Sequence, residues 1–267
     1  MLKAARHKEI VALIQGGGAV EVNALAERFQ TSPITIRRDL IELHERGLVE
    51  RTRGGAISGN DVIAEGWARY ESISYAERER ENMRQKKAVA ELAAQFVSDG
   101  DCILVNGGTT SRHLAEALRG HHHLHVVTNG LTVAMEFARS RNAAIYLLPG
   151  NVDYQKMATV SLPAPGTFDN ITVRAAFLGV HGISPVAGIG MLSPEEAGMN
   201  RAFIDAAQIV NVIVDSSKFH SQAIFRIAQL DKVTRIITDE GISDSIRTRL
   251  EQIGVEVMVA TVEENGQ

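Results

Sequence analysis

The sequence has a single cysteine, Cys102, and no long apolar run. One cysteine cannot form an intramolecular disulfide, which excludes a small secreted fold held together by disulfides. No apolar run approaches the ~18 residues that a membrane-spanning helix requires, and the opening MLKAARHKE carries no apolar signal segment. We therefore expect a cytoplasmic protein that does not enter a membrane.

Aromatic residues are scarce at 5%, and neither sign of charge dominates, since the net charge is only -4. The charge is unevenly distributed, however. Residues 1–57 carry nine Lys or Arg against seven Asp or Glu, a net charge of +2, whereas the remaining residues carry -6. A basic terminal segment is suited to nucleic acid. At this length two domains are expected, and we predict a DNA-binding domain over 1–57, a linker over 58–76 and a ligand-binding domain over 77–262.

The first 57 residues have the pattern of three helices followed by a hairpin. After a first helix, Asn23 stands where the N-cap of a short second helix belongs, and Ser32 is a natural N-cap for a third helix over 33–46. A strand-like segment over 48–52 then meets the pair Gly54-Gly55, which favours a turn. This order predicts a winged helix-turn-helix domain.

The third helix has one apolar stripe and one basic face. At 100° per residue Ile36, Leu40 and Leu43 fall on the stripe, and Arg38 lies almost opposite them. Arginine binds guanine edges and phosphates alike, and this layout is typical of a recognition helix in a major groove. The same arginines would also solvate a small helical domain that binds nothing.

The segment LAERFQTSPITIRRDLIELHERGLVERTRGGA resembles the N-terminal signature of DeoR-type bacterial transcription regulators, whose recognition helix carries TIRRDL and whose wing ends in GGA. The resemblance implies binding to a double-stranded DNA operator, with the residues matching Ser32, Thr35, Arg37 and Arg38 on the DNA-reading helix. With the wing arginines added, the predicted DNA-binding residues are Thr31, Ser32, Thr35, Arg37, Arg38, Arg51 and Arg53.

From residue 88 onward, helical segments alternate with short apolar runs. These runs are CILV, LHVVTNG, AIYLLPG, AAFLGV, VNVIVD, RIIT and VEVMVA. Short apolar strands separated by helices predict a doubly wound, mostly parallel sheet covered on both faces, and the fold class is therefore α/β. Ligands of such sheets bind at the carboxyl ends of the strands.

Five of the predicted strands end in glycine, hydroxyl or amide residues. The segments that follow them are NGGTTS, TNG, PGN, HG and DSSK. Any one of these segments alone is more often a plain turn or helix cap, but five at one edge favour an anion site at a helix start. The attraction of a helix N-terminus for an anion contributes only ~0.3–2 kcal/mol. We therefore expect cationic side chains to contribute to anion binding, with Lys218 as the first candidate and Arg112 as the second.

This half also resembles the DeoR-type effector domain, which is similar in fold to ribose-5-phosphate isomerase. The matching segments are NGGTT, TNG, FLGVHGIS and DSSKF, while Asn106 replaces a usual aspartate, Gly150-Asn151 replaces a glycine pair, and His181 is unusual. The resemblance implies a phosphorylated sugar as effector. The predicted effector-binding residues are Asn106, Gly107, Gly108, Thr109, Thr110, Ser111, Thr128, Asn129, Gly150, His181 and Lys218.

Other functions are less well supported by the same residues. A sugar-phosphate isomerase of this fold needs a carboxylate base, and residues 180–184 supply none, although Glu195 and Glu196 are nearby in sequence. The run HHHLH over 121–125 matches no common zinc spacing, so we expect no metal and no cofactor. We predict a homo-oligomeric repressor, a dimer or tetramer, of a carbohydrate-utilisation operon; the sequence leaves a ligand-dependent activator open.

Overall fold

The computed structural model describes residues 3–17, 19–45, 48–52, 54–57, 73–141, 143–161, 164, 166–221 and 223–263. The chain divides into two compact units, residues 1–70 and 71–267. No described helix is long and apolar enough to cross a membrane.

The first unit contains three helices and a small antiparallel sheet. The helices are α1 (Lys3–Gly17), α2 (Val22–Arg28) and α3 (Pro33–Glu45). The strands are β1 (Val20–Glu21), β2 (Glu50–Arg51) and β3 (Gly55–Ile57), in the order β1-β3-β2. Three helices followed by the β2–β3 hairpin form a winged helix-turn-helix, which confirms the predicted fold of this unit.

Two details of the prediction for this unit are wrong. Helix α2 begins at Val22 with Glu21 as its N-cap, so Asn23 lies inside the first turn. Gly55 is the first residue of β3, where it pairs with Glu21, rather than part of the turn. Both differences have one cause: pairing of β1 with β3 keeps the chain extended only as far as Glu21, and the Val22 amide then bonds to the carbonyl of Gly54 at 2.8 Å.

The core of the first unit lies between the three helices. Its fully buried side chains include Ile10 and Ile14 of α1 and the stripe of α3, namely Ile36, Leu40 and Leu43. The predicted orientation of α3 is therefore confirmed. Burying such aliphatic side chains contributes about 1.5–3 kcal/mol each, which fixes the face that α3 leaves outside.

The second unit is built on a seven-stranded parallel sheet. Its strands are β4 (Cys102–Val105), β5 (Leu124–Thr128), β6 (Ala143–Leu147), β9 (Val173–Leu178), β12 (Ala207–Ile213), β14 (Arg235–Asp239) and β15 (Glu256–Ala260). The helices of this unit are α4 (Tyr75–Arg80), α5 (Met83–Ala94), α6 (Thr109–Ala117), α7 (Leu131–Ser140), α8 (Pro194–Ala206) and α9 (Asp244–Ile253).

The strand order is β15-β14-β12-β9-β4-β5-β6, and every pairing between neighbours is parallel. The chain leaves β4 toward β5 and β6 on one side, and later returns to build β9, β12, β14 and β15 on the other. The order therefore reverses between β4 and β9, a place where open α/β sheets bind ligands. Buried apolar clusters cover both faces of the sheet, which confirms the doubly wound prediction.

Several short elements were not predicted from the sequence. The hairpin β7 (Asn151–Asp153) and β8 (Ala158–Val160) follows β6, and a separate antiparallel sheet joins β10 (Gly182–Ser184), β11 (Gly188–Met191) and β13 (Phe225–Ala228). Strands of three or four residues are too short for a clear period of two. Helix α4 begins inside the segment predicted as linker, at Tyr75.

Candidate DNA-reading surface and effector site

Helix α3 begins with the cap predicted from the sequence. The Ser32 hydroxyl accepts a hydrogen bond from the Thr35 amide at 3.2 Å and lies 2.9 Å from the Thr35 hydroxyl. Arg37 and Arg38 are exposed, Arg38 opposite the buried stripe and Arg37 on its flank, and Thr31 and Thr35 are half-buried. The structure thus brings these residues to one end and one outer face of α3, as a recognition helix requires.

The wing carries one predicted arginine that the structure describes. Arg51 is exposed on β2, which pairs with β3 through Arg51 and Ala56. Arg53 lies outside the described residues. A guanidinium on an exposed hairpin is suited to phosphate or the minor groove.

The inner face of the recognition helix carries a buried charged residue, Asp39, that the sequence analysis missed. Asp39, only 2% exposed, accepts bonds from Arg6 Nε at 2.6 Å and Arg6 Nη2 at 3.1 Å, and its Oδ1 lies 2.9 Å from His7 Nε2. Burial alone would raise the pKa of the Asp39 carboxyl, but the bonds to Arg6 and His7 outweigh it, and the pKa lies below its usual range. A bidentate guanidinium–carboxylate pair fixes both distance and angle, so this cluster ties α3 to α1.

In the second unit, the five polar strand ends stand side by side. The strands that carry them, β12, β9, β4, β5 and β6, are consecutive neighbours in the sheet and run parallel. Their carboxyl ends therefore meet at one edge, here called the carboxyl edge, with the order reversal between β9 and β4 at its centre.

Asn106, which follows β4, connects the ends of β4 and β9 with helices α6 and α8 across this reversal. Its Nδ2 donates to the carbonyl of Gly179 and to Asn200 Oδ1, both at 2.8 Å. Its Oδ1 accepts from the Ser111 hydroxyl and the Gly179 amide, both at 2.9 Å. The side chain is 1% exposed and all its hydrogen-bonding capacity faces protein, so Asn106 shapes the edge; direct effector contact stays a prediction.

The ends of β4 and β5 approach each other closely. A Cβ added to Gly130 would lie 2.8 Å from the Cα of Gly107, which requires glycine at this crossing. Asn129 fixes the approach, because its Oδ1 accepts from the Gly107 amide at 2.9 Å and its Nδ2 donates to the carbonyl of Thr159 at 3.1 Å. Thr128 is fully buried and accepts from the Gly130 amide at 2.9 Å.

Helix α6 begins directly at the carboxyl edge. Gly108 is its N-cap and gives no side-chain hydrogen bond to the first turn, which contains Thr109, Thr110 and Ser111. Thr110 and Ser111 are buried and Thr109 is half-buried. A helix start without a side-chain cap leaves backbone N–H groups for an anion.

Gly150 follows β6 and His181 follows β9, on either side of β4 and β5 in the sheet. Gly150 has a φ of 154°, and a Cβ there would lie 2.7 Å from the carbonyl oxygen of Val160, so the turn after β6 admits no side chain. Burial lowers the pKa of His181 well below its usual value, and the neighbouring cations Lys218, Arg78 and Lys156 lower it further. The imidazole is therefore neutral at pH 7 and sits among positive charges.

The sequence analysis found only one of these cations. Lys218 was predicted, but Arg78 of α4, Lys156 of the β7–β8 turn and Lys86 of α5 were not. Burial lowers the pKa of Lys86 to about 8, opposed by Asp215 and assisted by Lys218 and Arg78. No sequence signal could have found them, because they come from elements far apart in the chain that only the fold brings together.

Two charged side chains follow the end of β12, the half-buried Lys218 and the buried Asp215. Lys156 Nζ lies 3.4 Å from Glu196 Oε2, but no carboxylate in the described part of the chain lies within salt-bridge distance of Lys218. Asp215 is 2% exposed; its Oδ1 accepts from Asn82 Nδ2 at 3.0 Å and from Ser217, whereas its Oδ2 has no hydrogen-bond partner among the described residues. A cation beside a buried acceptor matches a molecule with an anionic group and hydroxyls.

Arg112, the second cation chosen from the sequence, has a different role. Its Nη1 lies 2.6 Å from Glu79 Oε1 and its Nη2 lies 3.1 Å from Glu136 Oε1. Glu136 is 2% exposed and also bonds to Arg119 and Arg139. Because carboxylates occupy its guanidinium, Arg112 is part of a network that joins α4, α6 and α7 rather than a cation available to an effector.

The histidine run lies at the opposite end of β5 from the carboxyl edge. His121 Nε2 is 3.2 Å from the carbonyl of Val97, and the ring of His125 stacks on Tyr146 with centroids 6.1 Å apart. Among the described residues no group of three or more His, Cys, Asp or Glu side chains is placed to hold a metal.

A winged helix-turn-helix with an exposed basic helix, joined to an α/β unit with a cationic strand edge, defines a ligand-responsive DNA-binding regulator. The family models agree: residues 6–62 match the DeoR-like helix-turn-helix domain and residues 81–240 match the DeoR C terminal sensor domain. The chain belongs to the DeoR family, as its sequence motifs predicted. It is a transcriptional regulator and not an enzyme.

Relatives match over nearly the full length. The chain is 31% identical over 256 residues to the transcriptional repressor AccR of Agrobacterium fabrum, covering 96% of each chain. It is 28% identical over 239 residues to the glycerol-3-phosphate regulon repressor of Escherichia coli, covering 90% of this chain and 92% of that one. Among solved structures, ribose 5 phosphate isomerase A from Neisseria gonorrhoeae matches with a TM-score of 0.39 and 17% identity, covering 51% of this chain and 53% of that chain.

Proposed function

We propose that this regulator is a cytoplasmic repressor of a carbohydrate-utilisation operon that leaves its operator when a phosphorylated sugar binds at the carboxyl edge. DNA reading is assigned to residues 1–57 and effector binding to residues 77–262, with 58–76 between them. Two copies related by a two-fold axis would read half-sites ~34 Å or a multiple apart, and the active form is therefore a dimer or tetramer.

The observation that carries the effector assignment is that Lys218, with no carboxylate of the described residues at salt-bridge distance, follows three positions after Asp215 at the end of β12. The ammonium is suited to a phosphate, and the buried Oδ2 of Asp215 is suited to a sugar hydroxyl, since a carboxylate oxygen accepts hydrogen bonds. The start of α6 at Thr109 adds backbone donors. A relative that is a glycerol-3-phosphate regulon repressor supports a small phosphorylated polyol or sugar.

Fluorescence anisotropy on the DNA upstream of the chain's own gene tests the proposal. The titrants are a panel of fructose 1-phosphate, glucosamine 6-phosphate, ribose 5-phosphate and glycerol 3-phosphate, each beside its unphosphorylated parent. Release by one phosphorylated compound alone supports the proposal and names the signal. Tighter binding with a compound would make the chain a ligand-dependent activator, and indifference to every compound would refute effector control by this panel.

Arg38→Ala is expected to weaken operator binding about 5- to 150-fold, because loss of one base-reading arginine costs about 1–3 kcal/mol. Arg38 is exposed, so folding should be unaffected. Anisotropy measures the change and circular dichroism checks the fold. Arg247→Ala, which removes the same charge from exposed α9, is the matched control. Equal operator affinity in the Arg38→Ala variant and the parent would show that α3 does not read DNA through this residue.

Lys218→Ala is expected to weaken binding of the active panel compound about 10- to 150-fold, because a charge-assisted hydrogen bond contributes about 1.5–3 kcal/mol. Isothermal titration calorimetry on the full chain measures the dissociation constant. Lys232→Ala removes an exposed lysine elsewhere in the same unit and should leave that constant within twofold. A Lys218→Ala variant that binds as tightly as the parent would place the phosphate elsewhere.

A further inference from the structure

A corner of the second unit leads directly from the segment that joins it to the DNA-binding unit. This corner, residues 75–86, consists of α4 and the first turn of α5, and in the chain it follows residues 58–72, which connect the two units. Its contacts go to the carboxyl edge, the same edge to which the effector is assigned above.

The first end of the corner is anchored beside the start of α6. Tyr75 is 9% exposed, and its hydroxyl donates to the carbonyl of Gly108, the N-cap of α6, at 3.3 Å. The same hydroxyl lies 2.8 Å from the Thr132 hydroxyl in the first turn of α7. One hydroxyl thus bridges the helix starts that follow β4 and β5.

The other end of the corner is anchored on the buried carboxylate of Asp215. Asn82 Nδ2 donates to Asp215 Oδ1 at 3.0 Å, so this carboxylate holds the corner with one oxygen while the other has no described partner. Asn82 also has a left-handed backbone, with φ of 50° and ψ of 34°, which is uncommon for a residue other than glycine. Backbones of this kind persist only where surrounding contacts hold them and are frequent in switch regions.

Two further bonds complete the corner. Arg78 Nη2 donates to the carbonyl of Gln155 at 2.5 Å, in the turn between β7 and β8. Lys86 Nζ donates to the carbonyl of Arg78 and so ties α5 back to α4. The corner is therefore bonded to the residues after β4, β5, β7 and β12.

We propose that residues 75–86 are the coupling element of the regulator, with Tyr75 and Asn82 as positioning residues. Effector bound at Asp215 and at the start of α6 changes the position of this corner on the carboxyl edge, and the corner transmits that change to residues 58–72. The inference rests on the proposed function. Coupling of this kind is reciprocal, because an effector that weakens operator binding must itself bind more weakly to the operator complex by the same factor.

The test measures the coupling factor, which is the operator dissociation constant with a saturating panel compound divided by that without it. We expect a factor of at least ten for the parent and below three for Tyr75→Phe, which removes only the bridging hydroxyl. Asn82→Gly, which relieves the left-handed backbone and removes the amide, should lower the factor similarly. Tyr146→Phe, on the edge strand β6 away from the corner, is the matched control and should keep the parent's factor.

Calorimetry with the same compound separates coupling from binding. In both corner variants the compound should still bind. Its dissociation constant for the free protein should approach its dissociation constant for the operator complex. If the parent responds and both variants keep its coupling factor, the coupling inference is wrong while the proposed function stands. If no panel compound binds or releases the parent, the proposed function fails, and this inference fails with it.

Discussion

Asp39→Ala is expected to lower the free energy of unfolding of the DNA-binding unit by about 3–5 kcal/mol, because it deprives the buried guanidinium of Arg6 of its carboxylate. Asp39 lies on α3 and Arg6 on α1, so the loss also frees the recognition helix to change its angle to the rest of the unit. Hydrogen–deuterium exchange of peptides from α3 measures the change within the full chain, and operator affinity should fall with it.

Glu42→Ala provides the control, since its partner Lys3 is also exposed on α1 and such surface pairs contribute about 0–1 kcal/mol.

The pH dependence gives a second check. The pKa of Asp39 lies below its usual range, so its contribution is fully present above about pH 4 and is lost as the pH falls through the folded-state pKa. The difference between parent and variant should therefore shrink in acid. Equal protection of α3 in Asp39→Ala and Glu42→Ala would contradict the assignment.

Asn106→Asp is expected to destabilise the second unit by about 3 kcal/mol at pH 7, although the two side chains have nearly the same shape. The new carboxylate oxygen would replace an amide that donates to the carbonyl of Gly179 and to Asn200 Oδ1, leaving two buried acceptors without their donor. Urea unfolding followed by circular dichroism measures the loss. The result would show that the buried network requires an amide at position 106.

The carboxyl group introduced by Asn106→Asp should have its pKa shifted in the opposite direction from that of Asp39. Burial and the facing oxygens would raise the pKa of the introduced carboxyl group, and its protonated form can still donate one hydrogen bond. The stability loss should therefore grow as the pH rises from about 4 to 7. Asn170→Asp, at an exposed position, is the matched control and should change little. Parent-like stability at pH 7 would mean that the Asn106 network can rearrange at no cost.

The sequence predicted which strand ends form the candidate site, but it predicted few of the charged side chains that surround them. The residues after β4, β5, β6, β9 and β12 follow apolar runs whose period is readable, and parallel strands align their ends without further information. The cations Arg78, Lys86 and Lys156 were missed, and Arg112 was misassigned, because neither partner choice nor burial is visible in the local pattern. Arg112 pairs with Glu79 and Glu136, which lie 33 and 24 residues away.

By itself the sequence determined the two fold classes, the recognition helix and its outward face, the family, and the edge at which a ligand is expected. These follow from hydrophobic period, capping residues and local motifs, which act over a few neighbouring positions. Only the tertiary structure decided that Asp39 is buried against Arg6, that Asn106 turns all its hydrogen bonds inward, and that the 75–86 corner lies on the carboxyl edge. Each of those facts depends on which distant segments of the chain pack together in the buried, low-dielectric interior. The packing of the whole unit determines which segments do so.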